Sequence, residues 1–298
     1  MRKQYHIDQS PLYKLIGLNQ LEQCLDIKLH RLPKLLKPKA YRTFIKDGRD
    51  IQHPVGWLNK VHERIAKLLA RIEVPDYVYH KKGRSHILNA HEHKGHHGVI
   101  KTDISAYYPS VSRQHIKAMF INEFKCAKDV AGTLADICSY NGMHLPTGSP
   151  ISGYIAFFAN KELYDSVYLK AKNMGNTFTL YVDDLTISGS GISKDFLGEV
   201  QRLIRKQGLI VKSSKTKFLA PSAAKIITGV AVKGNQCLLP NTRHKSIADT
   251  KKAIASSNND MDKAKLKLSL KGKLIAAKQI EDVNIGLHET YPTLIYSN

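Results

Sequence analysis

Two adjacent aspartates interrupting an alternating apolar and polar run constrain this chain more than any other feature. In TFTLYVDDLTISGSG (Thr177 to Gly191), Phe178, Leu180 and Val182 alternate with Thr179 and Tyr181, and Leu185 and Ile187 alternate with Thr186 and Ser188. A period of two predicts two half-buried strands. Aspartate is a poor strand residue. Asp183 and Asp184 therefore mark the break, at the tip of a two-residue hairpin turn where an Asp side chain can bond local backbone groups. Two carboxylates about 4 Å apart repel by about 4 kcal/mol at an effective dielectric of about 20, unless a cation lies between them. Taken alone, the pair is either a solvated turn or part of a cation site.

A second acidic strand end decides between these. GVIKTDISAYYPSV (Gly98 to Val111) runs Val99, Ile100, Lys101 and Thr102 into Asp103, and then through Ile104 to two tyrosines and Pro109. A lone Asp here would read as a helix N-cap. With the hairpin pair downstream, Asp103, Asp183 and Asp184 supply what two-metal phosphoryl transfer needs. That need is for hard oxygen ligands for Mg²⁺, with one ion activating a hydroxyl and the other stabilising a pyrophosphate leaving group.

Charge points to the same kind of partner. The chain has 46 Lys plus Arg against 25 Asp plus Glu, a formal net charge of +21, so its surface attracts polyanions. No apolar run approaches the length of a membrane span, and MRKQYHIDQS lacks the apolar core of a signal peptide. The expected partner is therefore nucleic acid, with no membrane role and a cytoplasmic location. Cys24, Cys126, Cys138 and Cys237 lack metal-ligand spacing and fit reduced thiols.

At 298 residues and 42% hydrophobic content the chain can bury a sizeable core, as one large domain or as two or three subdomains. Residues 10 to 27 read as helical, and a basic stretch from Lys28 to Arg49 follows. Leu58, Val61, Ile65, Leu68, Leu69 and Ile72 then fall at helical spacing, beside a stripe of Lys60, Arg64, Lys67 and Arg71 that is either solvated or phosphate-binding. Gln114 to Tyr140 is mostly helical. In MHLPTGSPISGYIAFFAN (Met143 to Asn160) a Pro/Gly/Ser loop opens into an apolar helix, a composition that lets backbone approach a nucleotide. Phe196 to Gln207 reads as an amphipathic helix. GLIVKSSKTKF (Gly208 to Phe218) returns as strand and loop, with Lys215 available to the acidic cluster, and residues 240 to 298 are helical and basic. The order predicts an α+β fold with an antiparallel sheet.

These residues resemble a bacterial reverse transcriptase, and specifically the retron type. TLYVDDLTIS resembles the polymerase Tyr-X-Asp-Asp hairpin, IKTDISAYYPSV the first palm carboxylate motif, and LPTGSPISG the Pro-X-Gly loop. YRTFIKDGRDIQHP resembles the fingers segment that holds the incoming triphosphate, and GLIVKSSKTKF the later palm segment with its lysine. More diagnostic are NAHEH (Asn89 to His93), similar to the retron Asn-Ala-X-X-His element, and ITGVAV (Ile227 to Val232), similar to the retron Val-Thr-Gly element.

The resemblance implies a right-hand polymerase. Its fingers would reach to about residue 98, its palm would cover 99–239 with a helical insertion at about 113–142, and a helical thumb would cover 240–298. It implies that Asp103, Asp183, Asp184 and the Ile104 carbonyl bind two Mg²⁺. Lys215 would protonate the leaving pyrophosphate, with Lys212 and Lys217 as competitors. Lys46, Arg49, Tyr108, Thr147 and Gly148 would bind the deoxynucleoside triphosphate, Tyr108 excluding a 2′-hydroxyl by its bulk. Asn89, Ala90, His93, Thr228 and Gly229 would recognise the cognate non-coding RNA, although Thr228 and Gly229 also fit a plain backbone turn.

The expected function is RNA-directed DNA synthesis from a 2′-hydroxyl of that RNA, giving short RNA-linked DNA in anti-phage defence with a separate effector protein. The histidines around His93 lack the spacing of a zinc site. Val182 stands where retrons commonly have alanine, Thr147 where glutamine is common, and Gly153 where proline often follows serine. A group II intron or diversity-generating reverse transcriptase and a non-catalytic RNA-binding scaffold are the rival readings. NAHEH and ITG weigh against the first, and the intact carboxylates against the second.

Overall fold

The computed structural model describes residues 4–95 and 97–286. Its elements are, in order, α1 (Leu18–Leu25), α2 (Leu32–Leu35), β1 (Tyr41–Lys46), β2 (Arg49–Pro54), α3 (Gly56–Leu69), α4 (His86–His91) and β3 (Gly98–Asp103). Then come α5 (Tyr107–Ser110), α6 (Arg113–Asn122), α7 (Lys128–Cys138), α8 (Ser152–Ala159), α9 (Lys161–Asn173), β4 (Thr177–Tyr181), β5 (Asp184–Gly189) and α10 (Lys194–Lys206). The last are β6 (Lys217–Leu219), β7 (Lys225–Ile227), β8 (Val230–Lys233), β9 (Gln236–Leu238), α11 (Asn241–Ser256) and α12 (Asp260–Val283). The paired strands are antiparallel, so the chain is α+β.

Two compact units are built from interleaved segments. The first takes the described residues up to Pro75, Ile104–Asp165 and Ile204–Ile210; the second takes Asp76–Asp103, Ser166–Leu203 and the described residues from Val211 on.

The first unit is a helical core beside the β1–β2 hairpin. Leu58, Val61, Ile65, Leu68 and Leu69 line the buried face of α3, and Leu21 and Leu25 that of α1. α1 packs on α3 and α7, and α6 on α7 and α8. The helix expected over residues 10 to 27 shrinks to α1. Pro11 opens a run of turns, Lys14 is left-handed at φ 53, and Gly17 is extended ahead of the first helical turn. Two members of the basic stripe on α3 and its end serve the unit itself. Arg64 donates to the Cys24 carbonyl at 3.1 Å, and Arg71 lies over the Tyr5 ring at 4.7 Å.

The second unit holds a four-stranded sheet in the order β4-β5-β3-β6 and a three-stranded sheet β7-β8-β9. Register sorts the larger sheet into two faces. Ile100, Phe178, Leu180, Leu185 and Ile187 share one and are buried, as the alternation predicts. On the other face Val99, Lys101 and Asp103 of β3 stand beside Ser188, Thr186 and Asp184 of β5, and Thr179 and Tyr181 of β4 follow. That face is polar yet largely buried at Thr179, Thr186 and Ser188, so its hydroxyls need partners.

The smaller sheet shares a core with α4 and α12. Ile227, Val230, Val232 and Cys237 meet Ile87, Ala90, Ile280 and Val283. Asn284 fixes the end of α12 by exchanging two 2.8 Å hydrogen bonds with the Cys237 backbone, continuing the β9 edge.

At Gly189 the larger sheet leaves no room for a side chain. A Cβ there would collide with Asn176 Oδ1 and come within 3.0 Å of the Asn176 Cα, and Asn176 is held by accepting the Gly191 N–H at 3.1 Å. Gly189→Ala should destabilise the protein by about 1–3 kcal/mol, as overpacking does. Gly198→Ala, in α10 with open space around it, should not. Thermal melts of the two variants beside the parent check this.

Candidate active site

The hairpin turn falls one residue earlier than the sequence predicts. Tyr181 pairs with Asp184, so the two turn residues are Val182 and Asp183, and Asp184 is the first residue of β5, directly opposite Asp103 of β3. Val182 is left-handed at φ 60. For a β-branched residue such a conformation costs about 1–3 kcal/mol and persists only where the surroundings fix it. One fixing contact comes from His80, whose Nδ1 accepts the Val182 N–H at 3.1 Å. Burial pushes the His80 pKa down to about 4, so the ring stays neutral and keeps the lone pair that this bond needs. The segment before His80 runs along β4, with Tyr79 N–H bonded to the Leu180 carbonyl at 2.8 Å and Leu180 N–H to the Tyr77 carbonyl at 2.7 Å.

Two lysines meet the carboxylates. Lys215 Nζ donates to Asp103 Oδ2 at 2.6 Å, and Lys101 Nζ lies 3.3 Å from Asp184 Oδ2. Thr186 donates to the other Asp184 oxygen, Oδ1, at 3.3 Å. Lys215 ends a short 3₁₀ turn, Ser213–Lys215, that is pinned to β3. Lys212 N–H donates to the Asp103 carbonyl at 2.8 Å, and the Thr102 and Thr216 hydroxyls bond at 3.0 Å. Of the three lysines that competed for the role, Lys215 is thus the one whose ammonium bonds the Asp103 carboxylate.

Burial, and then the charge of Asp103, push Asp183 up to about 6. Burial also raises Asp184, and the positive charge of Lys101 opposes that rise. Among the described residues no three His, Cys, Asp or Glu side chains already form a cage for an ion. The donor chemistry nonetheless fits Mg²⁺. It consists of hard carboxylate oxygens brought together at strand ends, two of them held above their ordinary pKa chiefly by burial. Ile104, next in the chain after Asp103, is buried.

The residues expected to bind the nucleotide lie in the first unit. Lys46 and Arg49 face each other across the Asp47–Gly48 turn, whose φ values of 50 and 70 are those of a tight hairpin, and both are exposed. Directly opposed like charges repel, and an anion between them would remove the repulsion.

The Pro-Thr-Gly-Ser loop is laced to β2. Gln52 N–H donates to the Thr147 carbonyl at 2.6 Å, Thr147 N–H to Gln52 Oε1 at 2.7 Å, and His53 Nδ1 donates to the Gly148 carbonyl at 3.0 Å. Gly148 is left-handed at φ 104 and passes so close to β2 that a Cβ would lie 2.7 Å from Ile51 Cγ2. His62, buried and held neutral with a pKa of about 4, donates from Nε2 to the Ile137 carbonyl at 2.8 Å. Its Nδ1 therefore accepts the Ser149 hydroxyl at 2.7 Å. Tyr108 is half-buried, its ring 5.5 Å from that of Tyr107.

The elements expected to recognise RNA turn inward. Asn89, Ala90 and His93 are buried, so their side chains do not present themselves to an RNA surface. His93 spans the polar face of the larger sheet, bonding Ser188 Oγ and Thr179 Oγ1 at 2.7 Å each, and burial and then Lys101 push its pKa down to about 3. Asn89 Nδ2 donates to Thr228 Oγ1 at 3.4 Å, and Thr228 Oγ1 donates to the His86 carbonyl at 2.5 Å. Thr228 and Gly229, at φ 43 and 79, are the two turn residues between β7 and β8. The two diagnostic sequence elements therefore bond to each other.

Sequence reasoning passed over Lys101, His80 and His62. Only Lys101 carried a readable signal, since it stands two residues before Asp103 and so on the same face of β3.

Helices packed with antiparallel sheets in this order make the mixed fold of a right-hand polymerase. The chain belongs to the reverse transcriptase (RNA-dependent DNA polymerase) family, whose model matches residues 33–268. Families of this kind generally use divalent metal ions.

Among curated proteins the chain is similar to the Retron Se72 reverse transcriptase of Salmonella heidelberg, with 30% identity over 240 residues, 73% of this chain and 62% of that protein. It is similar also to the Retron Ec86 reverse transcriptase of Escherichia coli, with 24% identity over 226 residues, 74% of this chain and 67% of that protein. The chain thus spans about two thirds of the length of these relatives. Among solved structures it is similar to apo telomerase from Candida Tropicalis, truncated from its C-terminal domain, at a TM-score of 0.43 and 13% identity, covering 65% of this chain and 52% of that one. No helix among the described residues is long and apolar enough to cross a membrane.

The raised pKa of Asp183 has a sign that can be measured. The folded protein holds this proton more tightly than the unfolded chain does, so the group's contribution to stability falls as pH rises from about 4 to about 6 and stays low above that. Asp183→Asn should melt higher than the parent in metal-free buffer at pH 7.5, and the gap should close at pH 4.5. Mg²⁺ should raise the melting temperature of the parent more than that of the variant.

Proposed function

We propose that the protein is an RNA-directed DNA polymerase of the retron type. The observation that carries this reading is the opposition of Asp103 and Asp184 across β3 and β5, with Asp183 in the turn beside them. In the proposed division, fingers reach to about residue 98, palm covers 99–239 and thumb covers 240–298.

The reaction joins a nucleic-acid hydroxyl oxygen, whose proton passes to solvent, to the α-phosphorus of a deoxynucleoside triphosphate and breaks the bond to pyrophosphate, which leaves with its electron pair. Two Mg²⁺, held by Asp103, Asp183, Asp184 and the Ile104 carbonyl, would lower the pKa of the attacking hydroxyl and offset charge on the leaving group. The remaining work belongs to the chain. Lys46 and Arg49 take the triphosphate, relieving their own repulsion. Thr147 and Gly148 present backbone fixed by β2, and Tyr108 closes the sugar pocket against a 2′-hydroxyl. Lys215, already bonded to Asp103, is the proton donor to pyrophosphate, which takes up the proton as it departs.

Similarity to retron reverse transcriptases supports the finer reading. The template is a structured RNA from the protein's own locus, synthesis starts at a 2′-hydroxyl of that RNA, and the product is a short RNA-linked DNA. A separate effector would couple that product to anti-phage defence in the cytoplasm. Asn89, Ala90, His93, Thr228 and Gly229 would act on the RNA indirectly, by fixing the β7–β8 hairpin and the sheet beneath it.

Primer extension on an RNA template tests the site. Asp183→Asn should lose Mg²⁺-dependent synthesis by at least a hundredfold while binding RNA, at matched salt, within about twofold of the parent. A variant that extends primers at the parental rate removes Asp183 from the mechanism.

A further inference from the structure

α1 has one buried side, with Leu21 and Leu25, and one polar side on which Asn19, Glu22, Gln23 and Asp26 fall at helical spacing. A polar stripe of that kind ordinarily faces open water. This one lines a cleft of about 460 Å³ that is lined also by Trp57, the second residue of α3. That volume lies within the range of about 300–1,000 Å³ usual for small-molecule sites. Trp57 is the only tryptophan in the sequence. It is half-buried, and a buried indole N–H usually finds an acceptor. Among the described residues this one has none.

The charges around the cleft are unevenly matched. Glu22 is engaged, its Oε1 accepting the Leu29 N–H at 2.7 Å and its Oε2 lying 3.7 Å from Lys28 Nζ. Asp26 and Arg31, both exposed, enter no ion pair among the described residues. Asp26 caps α1 in the left-handed conformation, at φ 57, and Arg31 ends the short 3₁₀ turn Leu29–Arg31. The cleft thus offers an aromatic face, a carboxylate, two side-chain amides and a cation.

A lysine or arginine side chain from a protein partner would suit Trp57 and Asp26, but Arg31 and Lys28 would repel it. A nucleotide suits every group. Its base has a flat face for the indole, its edge has donors and acceptors for Asn19 and Gln23, and its phosphate is an anion for Arg31. Guanine alone among the bases carries two adjacent N–H donors on one edge, N1–H and the N2 amine. Two parallel donors are what a carboxylate accepts with both oxygens.

We propose that this cleft binds a guanine nucleotide. The base stacks on Trp57, N1–H and the N2 amine donate to Asp26, and the phosphate is held by Arg31 and Lys28. The site binds and does not catalyse, and it stands apart from the carboxylate reading, because all of its residues belong to the first unit. A free nucleotide and an unpaired guanosine of an RNA present the same chemistry to it.

Trp57 reports on the cleft without a label, since no other tryptophan contributes to the emission. GMP should quench its fluorescence saturably, after correction against free N-acetyltryptophanamide for absorption and collisional quenching. IMP, which lacks the N2 amine, and AMP should need at least about tenfold more nucleotide for half-saturation. Asp26→Asn, which suits the left-handed backbone, should bring GMP to within about twofold of AMP. Arg31→Gln should weaken GMP and AMP by a similar factor, about threefold or more. A uridine heptamer with one central guanosine, beside the plain uridine heptamer, separates the sources. Quenching by the first at lower concentration than GMP identifies an RNA guanosine, and quenching by GMP alone a free nucleotide.

No saturable quenching by GMP or by the guanosine heptamer would overturn the proposal. So would equal quenching by GMP, IMP and AMP, or a preference for GMP that Asp26→Asn retains. None of these outcomes bears on metal-dependent synthesis, which primer extension reads separately.

Discussion

Asp103 and Asp184 are held face to face on neighbouring antiparallel strands, and at about 5 Å two such charges repel by roughly 3 kcal/mol at an effective dielectric of about 20. Much of the second unit answers that repulsion. Lys215 is brought to Asp103 by a turn pinned to β3, and Lys101 to Asp184 from within the sheet. Thr186 supplies a further hydrogen bond, and burial, with the charge of Asp103 second, makes Asp183 hold its proton to higher pH. A sheet whose apolar face is buried in the ordinary way thus carries a second face that is polar, enclosed and short of positive charge. That shortage is what a divalent ion would fill.

The same face explains the two sequence elements that set this chain apart from a generic polymerase. His93 bonds hydroxyls on β4 and β5, and Asn89 reaches the turn between β7 and β8 through Thr228. Ala90, with only a methyl side chain, lets α4 sit against Val99 and the smaller sheet. These residues tie α4 to both sheets around a shared core. The left-handed Val182 is also tied by a histidine, one that the enclosed site keeps neutral and that takes its N–H.

Period-two alternation makes both strands of the acidic hairpin legible in the sequence, because one face of each is apolar, and β3 is legible as a short buried run that ends at Asp103. The tip was misplaced by one residue. Aspartate suits a turn and valine does not, and the bond that the Val182 N–H donates to His80, which helps fix Val182 there, is tertiary. The helix over residues 10 to 27 was overextended because local periodicity does not register a lysine forced left-handed at position 14. Asn89, Ala90 and His93 suit either a packed framework or an RNA contact by residue type, and their burial depends on tertiary neighbours that composition does not show. Lys101 was open to discovery, being on the same strand face as Asp103, but a lysine in a basic chain carries no signal until its neighbours are known. The Asp47–Gly48 turn was equally open, as an Asp-Gly pair between two strand-like runs.

The account stands or falls on whether these carboxylates make DNA on an RNA of the protein's own locus. The direct measurement is to express the chain with its native flanking DNA, purify it, and sequence the nucleic acid that comes with it before and after ribonuclease and 2′–5′ debranching treatment, beside Asp183→Asn. The account predicts a short DNA joined to a local RNA, released by debranching and present only with the parent. RNA without attached DNA in both preparations would contradict it, and would leave a protein that binds RNA without copying it.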